Sequence, residues 1–252
     1  MTAPPLLRVE HLSRTFGRFA ALTDVSLAVE RGVLSALIGP NGAGKTTFYN
    51  VVSGRFPPTR GRVWLDGEDV TGLAAHRLVG RGVARSFQIT NVFPNLSVLE
   101  NVLVPLVLER GRARRLFRPL ERDRALRARA EEVLESVGLL RHARQPAGTL
   151  SYGDKRLVEI AIVLARSPRL VLLDEPTAGM NPEETDRMIA LVRHLAERLG
   201  TTFFVTEHDM RVVFGLARRI FVLHQGTLLA AGTPDEIRDD PRVRAAYLGT
   251  VE

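Results

Sequence analysis

The chain has 252 residues, no cysteine and a formal net charge of +7. That length accommodates one large domain or two small ones, and the missing thiols exclude a disulfide framework, a thiolate metal site and a cysteine nucleophile. Met1 to Leu12 holds no basic stretch leading into a long apolar run, and no segment approaches 18 consecutive apolar residues, so neither a secretion signal nor a membrane span is expected.

The charge is local. Lys45 and Lys155 are the only lysines, and between Glu109 and Arg129 nine arginines stand against Glu109, Glu121 and Asp123. Such a patch fits contact with nucleic acid or anionic lipid, or simply a solvated helix face. No aromatic residues interleave it in a stacking pattern, which favours the solvated face.

In chain order, the alternating segments Leu6–Val9 and Val25–Val29 predict short strands, and Val33–Ile38 predicts a buried strand running into a glycine loop with a helix starting near Gly44. Pro57-Pro58 closes that region, Arg62–Asp66 predicts an outer strand, and Val83–Gln88 returns toward the loop. Ser97-x-x-Glu100 is a capping box opening an apolar helix, Val98–Leu108, and helical spacing resumes at Leu126, Val133, Leu134 and Val137 before Gly138. Residues 90–165 are thus expected to be mostly helical, between flanks in which strands and helices alternate. Beyond them come a buried strand at Leu170–Leu173 and a helix to about Leu199, opened by Asn181-Pro-Glu-Glu184. A strand at Thr201–Thr206, a hairpin Ile220–Leu223/Thr227–Ala231 turned at Gln225-Gly226, and a short helix opened by Thr233-Pro234 complete the chain.

Chemistry concentrates at a few points. A polyphosphate such as the ATP tail needs many donors at close range with no bulky side chains in the way. Gly39, Gly42 and Gly44 allow that approach, Lys45 can reach the β and γ phosphates, and the Thr46 hydroxyl can ligate Mg²⁺. Asp174 ends a buried strand, where a carboxylate on a rigid element can hold the Mg²⁺ shell. Glu175, one residue on, points elsewhere and can polarise a water for in-line attack on the γ phosphorus. His208 lies just past the carboxyl end of a strand, where α/β proteins place ligands. Ser151-x-x-Asp154 reads as a helix start.

Read together and in this order, the segments Gly39–Thr46, Gln88, Leu150–Asp154, Leu170–Glu175 and His208 resemble those of the ATP-binding subunits of ABC transporters, and the resemblance covers essentially the whole chain. It implies an α/β fold with a P-loop NTPase core, a mixed and largely parallel sheet, an N-terminal antiparallel β subdomain and an inserted α-helical subdomain. Residues 1–252 would form one ABC ATPase domain, with the core at 1–89 and 166–252 and the insertion at 90–165. ATP and Mg²⁺ are the implied cofactors. Phe16 would stack on adenine, and Gly39, Pro40, Asn41, Gly42, Ala43, Gly44, Lys45, Thr46 and Thr47 would cradle the phosphates. Thr46, Gln88 and Asp174 would hold the metal, while Glu175, His208 and Gln88 would act in catalysis. Ser151 and Gly153 would correspond to the signature that caps the γ phosphate on an opposing subunit.

The same resemblance implies a second ATPase subunit, a different chain being preferred to a second copy, two transmembrane permease subunits, and indirectly an external solute-binding protein. The chain would sit at the cytoplasmic face of the membrane, with no nucleic acid bound. Its segment from Gln88 to Leu96, with Val92 and Phe93 expected at the surface, would receive a permease helix. Tyr152 and Asp154 replace the usual Gly and Gln of the signature, and Asn181 replaces the usual Asp of the following loop. Asp154 would turn outward, toward Arg156, or weaken its site, so the two composite sites need not be equally active. These variants, with the tail Gly232–Arg238 and Ala246–Gly249, resemble the branched-chain amino-acid uptake branch. Two other readings stay open: a soluble ABC ATPase acting on nucleic acid or ribosomes, and a P-loop kinase.

Overall fold

A computed structural model describes residues 4–86, 92–109 and 123–248. Two sheets carry the fold. The first is antiparallel: β1 (Leu7–Phe16) pairs with β2 (Phe19–Val29) and with β4 (Arg60–Leu65), and β4 pairs with β5 (Glu68–Asp69). The second contains β3 (Ser35–Ile38), β6 (Val83–Arg85), β7 (Leu170–Asp174), β8 (Thr202–Thr206), β9 (Arg219–His224) and β10 (Thr227–Gly232), in the order β10-β9-β3-β8-β7-β6. All its pairings are parallel except the β9–β10 hairpin.

The six-stranded sheet is buried on both faces, and side-chain alternation divides two cores between them. Ala36, Val171, Phe203 and Ile220 point into one apolar cluster with the helices of residues 98–165. Their neighbours Leu37, Leu172, Phe204 and Phe221 point into the other, against the antiparallel sheet and Phe48 and Tyr49 of α1 (Lys45–Val52). The uninterrupted apolar runs read from these strands follow from that double burial.

β1 and β2 run to 10 and 11 residues, longer than the segments Leu6–Val9 and Val25–Val29 expected. Register shifts between Val9 and Leu12, and again up to Thr15, break the period-2 pattern that sequence reading follows, and His11 and Asp24 take positive φ beside them. The β9–β10 turn falls at Gln225-Gly226 as expected, with both residues at positive φ.

Between β6 and β7 the described residues form α3 (Val98–Glu109), α4 (Arg124–Ser136) and α5 (Tyr152–Leu164), after the short α2 (Ala75–Val79) that precedes β6. The Ser97–Glu100 capping box is made in both directions, at 2.7 and 3.1 Å. Buried Asn101 then ties the preceding segment down, accepting from the Phe93 N–H and donating to three backbone carbonyls. Phe93 is 52% exposed, but Val92, expected at the surface, packs against the core. Residues 110–122, most of the arginine patch, lie outside the described residues. On α4, Arg127 pairs with Glu131 and Arg129 with Glu132 and the Ser167 hydroxyl.

α6 (Pro182–Leu199) opens on a complete Asn181–Glu184 capping box and ends at left-handed Gly200. α7 (Met210–Leu216), α8 (Pro234–Asp239) and α9 (Pro241–Leu248) follow. Among the described residues no helix is long and apolar enough to cross a membrane.

Candidate active site

The glycine loop leaves the carboxyl end of β3, in the middle of the sheet, and turns into α1. A Cβ at Gly39 would come within 2.2 Å of the Leu223 carbonyl oxygen, and one at Gly44 within 2.8 Å of the Ala21 oxygen, so the loop is held between β9 and β2 at a spacing only glycine permits. Gly44 is the N-cap of α1 and supplies no side-chain hydrogen bond. The first N–H groups of that helix are therefore left for an anion. Thr46 and Thr47 stand in the first turn. Lys45 curls back, its Nζ donating to the Gly39 and Pro40 carbonyls at 2.6 and 3.1 Å. Burial pulls its pKa below the ordinary lysine value, against the raising effect of Glu175 and Asp174.

Asp174 ends β7 beside β8. Its Oδ1 accepts from the Thr206 hydroxyl at 2.7 Å and its Oδ2 from Arg85 at 2.8 Å, while its backbone N–H donates to Ser86 Oγ at 3.2 Å. Glu175 turns away with φ of 49°, a left-handed conformation stabilised by a hydrogen bond from its N–H to the Thr206 carbonyl. Its carboxylate lies 3.7 Å from His208 Nδ1, and the imidazole is 63% exposed. Lys45, Asp174, Glu175 and His208 thus meet at the carboxyl ends of three adjacent parallel strands.

Ser151 and Gly153 lie elsewhere, at the start of α5. The Ser151 hydroxyl accepts from the Asp154 N–H at 3.1 Å, and a Cβ on Gly153 would touch Glu184 Oε1 of α6 at 2.9 Å. The Tyr152 hydroxyl donates to the Ala178 carbonyl, joining this end to the loop that follows Glu175. Arg156, expected as a partner for Asp154, is buried and bonds Glu159 at 2.8 Å, because its place in α5 faces inward. Phe16 sits at the β1–β2 turn, 40% exposed, with Arg14 over its ring and the edge of Phe56 beside it. Gln88 lies outside the described residues.

Three residues near the site escaped sequence reading. Arg85 reaches Asn50 and Ser53 of the α1 end as well as Asp174, and its signal was a basic residue inside a strand flanking an all-apolar one. Glu207 is buried behind His208, an acid at a strand end as Asp174 is. Tyr247 of α9 comes back to the phosphate loop, where the nearby Gly39 N–H lowers its pKa but burial outweighs that and pushes it up to about 12. Nothing in the sequence pairs those two positions.

An open helix N-terminus with a lysine, two carboxylates and a histidine gathered at neighbouring strand ends defines a P-loop enzyme that hydrolyses nucleotide. A family described as ABC transporter matches residues 22–178, and one described as branched-chain amino acid ATP-binding cassette transporter matches residues 227–252. The high-affinity branched-chain amino acid transport ATP-binding protein BraF of Pseudomonas aeruginosa is 42% identical over 97% of this chain and 98% of its own length. LivG of Escherichia coli K12, of the same description, is 41% identical with the same coverage. The ADP conformation of MJ1267, an ATP-binding cassette of an ABC transporter, superposes with a TM-score of 0.88 at 31% identity, over 97% of this chain and 99% of that one. The chain belongs to the ABC transporter family, as an ATP-binding and ATP-hydrolysing cassette.

Proposed function

We propose that this chain is the ATPase of an importer for branched-chain or related amino acids, hydrolysing ATP at sites shared by two cassettes arranged head to tail. The observation that carries the cargo class is full-length likeness to BraF and LivG, extending into the tail matched at residues 227–252. The chemistry rests on the cluster of Lys45, Asp174, Glu175 and His208.

In this reading Phe16 stacks on the adenine and the Gly39–Thr47 backbone surrounds the phosphates. Lys45 exchanges its loop carbonyls for β and γ oxygens. Thr46 and Asp174 offer hard oxygen donors of the kind Mg²⁺ takes, and with Gln88 they would hold it. Bound there, Mg²⁺ neutralises charge on the β and γ phosphates. Glu175 accepts the proton of the attacking water, and His208 holds the γ phosphate. Ser151 and Gly153 of a second cassette close the site, the partner being a different ATPase chain. Two permease subunits take up the motion at the cytoplasmic membrane face, and an external solute-binding protein delivers the amino acid to them.

The test is ATP-driven uptake in vesicles carrying this chain with the permease, second cassette and binding protein recovered with a tagged copy of it from membranes. Leucine, isoleucine or valine uptake that requires this chain supports the proposal. Full uptake without it, or transport of an unrelated solute only, refutes the assignment.

A further inference from the structure

Glu207 has no part in the roles above, yet it is held more closely than any of them. It directly follows β8 and is 1% exposed. From one side Thr177, two residues after Glu175, donates its backbone N–H and its hydroxyl to Oε1 at 3.1 and 2.6 Å. From the other, the His208 backbone N–H donates to Oε2 at 3.3 Å. The His208 ring presents its Nδ1 edge to two carboxylates at once, 3.9 Å from Glu207 Oε2 and 3.7 Å from Glu175 Oε1.

A carboxylate removed from water is costly unless its charge is used. Burial raises the pKa of Glu207, against the hydrogen bonds from Thr177 and His208 and the charge of the imidazole. A neutral glutamine would fill the same space and still bond Thr177. What it could not do is attract a proton to His208 Nδ1. A proton held at Nδ1 by the carboxylates leaves Nε2 as the nitrogen that meets another partner.

We propose that Glu207 is a positioning residue for ATP hydrolysis, one oxygen clamping the loop that carries Glu175 and the other, with Glu175, holding the His208 ring by its Nδ1–H so that Nε2–H, directed away from both carboxylates, can donate to a γ-phosphate oxygen. The two catalytic side chains then move as one unit, because a single buried carboxylate is bonded to both loops. The proposal rests on the reading of Glu175 and His208 as the hydrolytic pair.

The test compares ATPase kinetics in the assembled transporter for the parent, Glu207→Gln, Thr177→Val, His208→Ala and the doubles with His208→Ala. Glu207→Gln keeps side-chain length and the Thr177 contacts through its amide oxygen, but sets an amide donor against the His208 N–H and removes the charge. We expect kcat to fall about 10-fold with the ATP KM within about 2-fold, since proton positioning and not binding is lost. The melting temperature should stay within about 4 °C of the parent. In the His208→Ala background the same change should cost less than about 2-fold, as expected of residues acting through one another.

An unchanged kcat, an effect confined to KM, or an equal loss with and without His208 overturns the proposal. If Glu207→Gln does not fold, Thr177→Val decides from the other end of the clamp: a kcat loss that vanishes in the His208→Ala background supports it, and an additive loss overturns it. Parent-like turnover of His208→Ala would overturn the reading of His208 itself, and the proposal with it. Slowed turnover of His208→Ala beside normal turnover of Glu207→Gln would overturn the proposal alone.

Discussion

Helices α1 and α5 both begin at the short motifs that define this family, yet their first turns are finished in opposite ways. α1 starts from left-handed Gly44 with no side-chain cap, leaving its N–H groups for a ligand. α5 starts from Ser151, whose hydroxyl already takes the Asp154 N–H, with an acid in its first turn. On the proposed reading one end is completed by nucleotide, while the other, completed by its own chain, would offer a phosphate only a finished surface. The phosphate-loop end should therefore decide binding by a single cassette, and the α5 end only events that need two.

The largest effects belong to the first end. Glu175→Gln should retain ATP binding and slow hydrolysis by roughly 10²- to 10⁴-fold, through loss of the base that accepts the water proton. Single-turnover hydrolysis with nucleotide binding measured in parallel checks it, and near-normal turnover would remove Glu175 from that role. Lys45→Ala comes next. Its ammonium donates only to loop carbonyls in this state, at 2.6 and 3.1 Å, so the fold should survive. ATP affinity should fall about 10- to 100-fold, the worth of a charge-assisted hydrogen bond of about 1.5–3 kcal/mol. Calorimetric titration with ATP, at a fixed Mg²⁺ concentration, reads that loss directly.

Two glycines sharpen the contrast. A Cβ at Gly39 would meet a backbone oxygen at 2.2 Å, which cannot move without shifting β9. At Gly153 it would meet the free end of Glu184 at 2.9 Å, which can swing aside. Gly39→Ala should cost about 1–3 kcal/mol of stability, the usual scale of overpacking. Gly153→Ala should leave the melting temperature of the single chain unchanged and lower only the turnover of the assembled pair. Equal destabilisation by the two would mean that the α5 end is as tightly built as the phosphate loop.

The same contrast explains what was legible in the sequence. Gly39–Thr46, Ser151 and the Asp174-Glu175 pair could be read because each is a local device: a spacing of glycines, an N-cap, an acid at the end of an apolar run. β3, β7 and β8 could be read because burial on both faces makes their central residues an unbroken apolar run. The full length of β1 and β2 could not, since bulges reset the alternation that reading depends on. Arg85, Glu207 and Tyr247 were missed for one reason: each acquires its meaning from a partner far away in sequence, Asp174, Thr177 and Gly39 respectively. That Arg156 faces the core and bonds Glu159 was not legible either, because sequence spacing does not tell which side of a helix turn faces inward.

Ser151→Ala removes the α5 cap and should cost about 1 kcal/mol of stability, a typical N-cap loss. ATP binding by the single chain, measured by equilibrium dialysis, should not change. If it weakens, the α5 end contributes to the site of its own chain, and the division between the two ends fails.

The smallest effects come from one hydroxyl at each end, and they test the comparison most finely. Tyr247 sits half-buried against the core, its buried hydroxyl oxygen close to the N–H of Gly39, the first residue of the phosphate loop. Tyr152 is 45% exposed, and its hydroxyl donates to the Ala178 carbonyl at 3.1 Å. Removing a buried acceptor strands its donor, whereas water replaces an exposed one. Tyr247→Phe should therefore cost about 1 kcal/mol or slightly more, and Tyr152→Phe well under that. For a chain of this size that is a fall of about 2–4 °C in melting temperature against almost none. The functional outcomes should be reversed in kind: Tyr247→Phe weakens ATP binding by the single cassette, because the loop that receives phosphate loses a support, while Tyr152→Phe is silent until a second cassette is present. Thermal melts with and without nucleotide, run on both variants, decide between these patterns. Matching shifts for the two variants would mean that the tail of α9 supports the phosphate loop no more than Tyr152 supports the loop after Glu175.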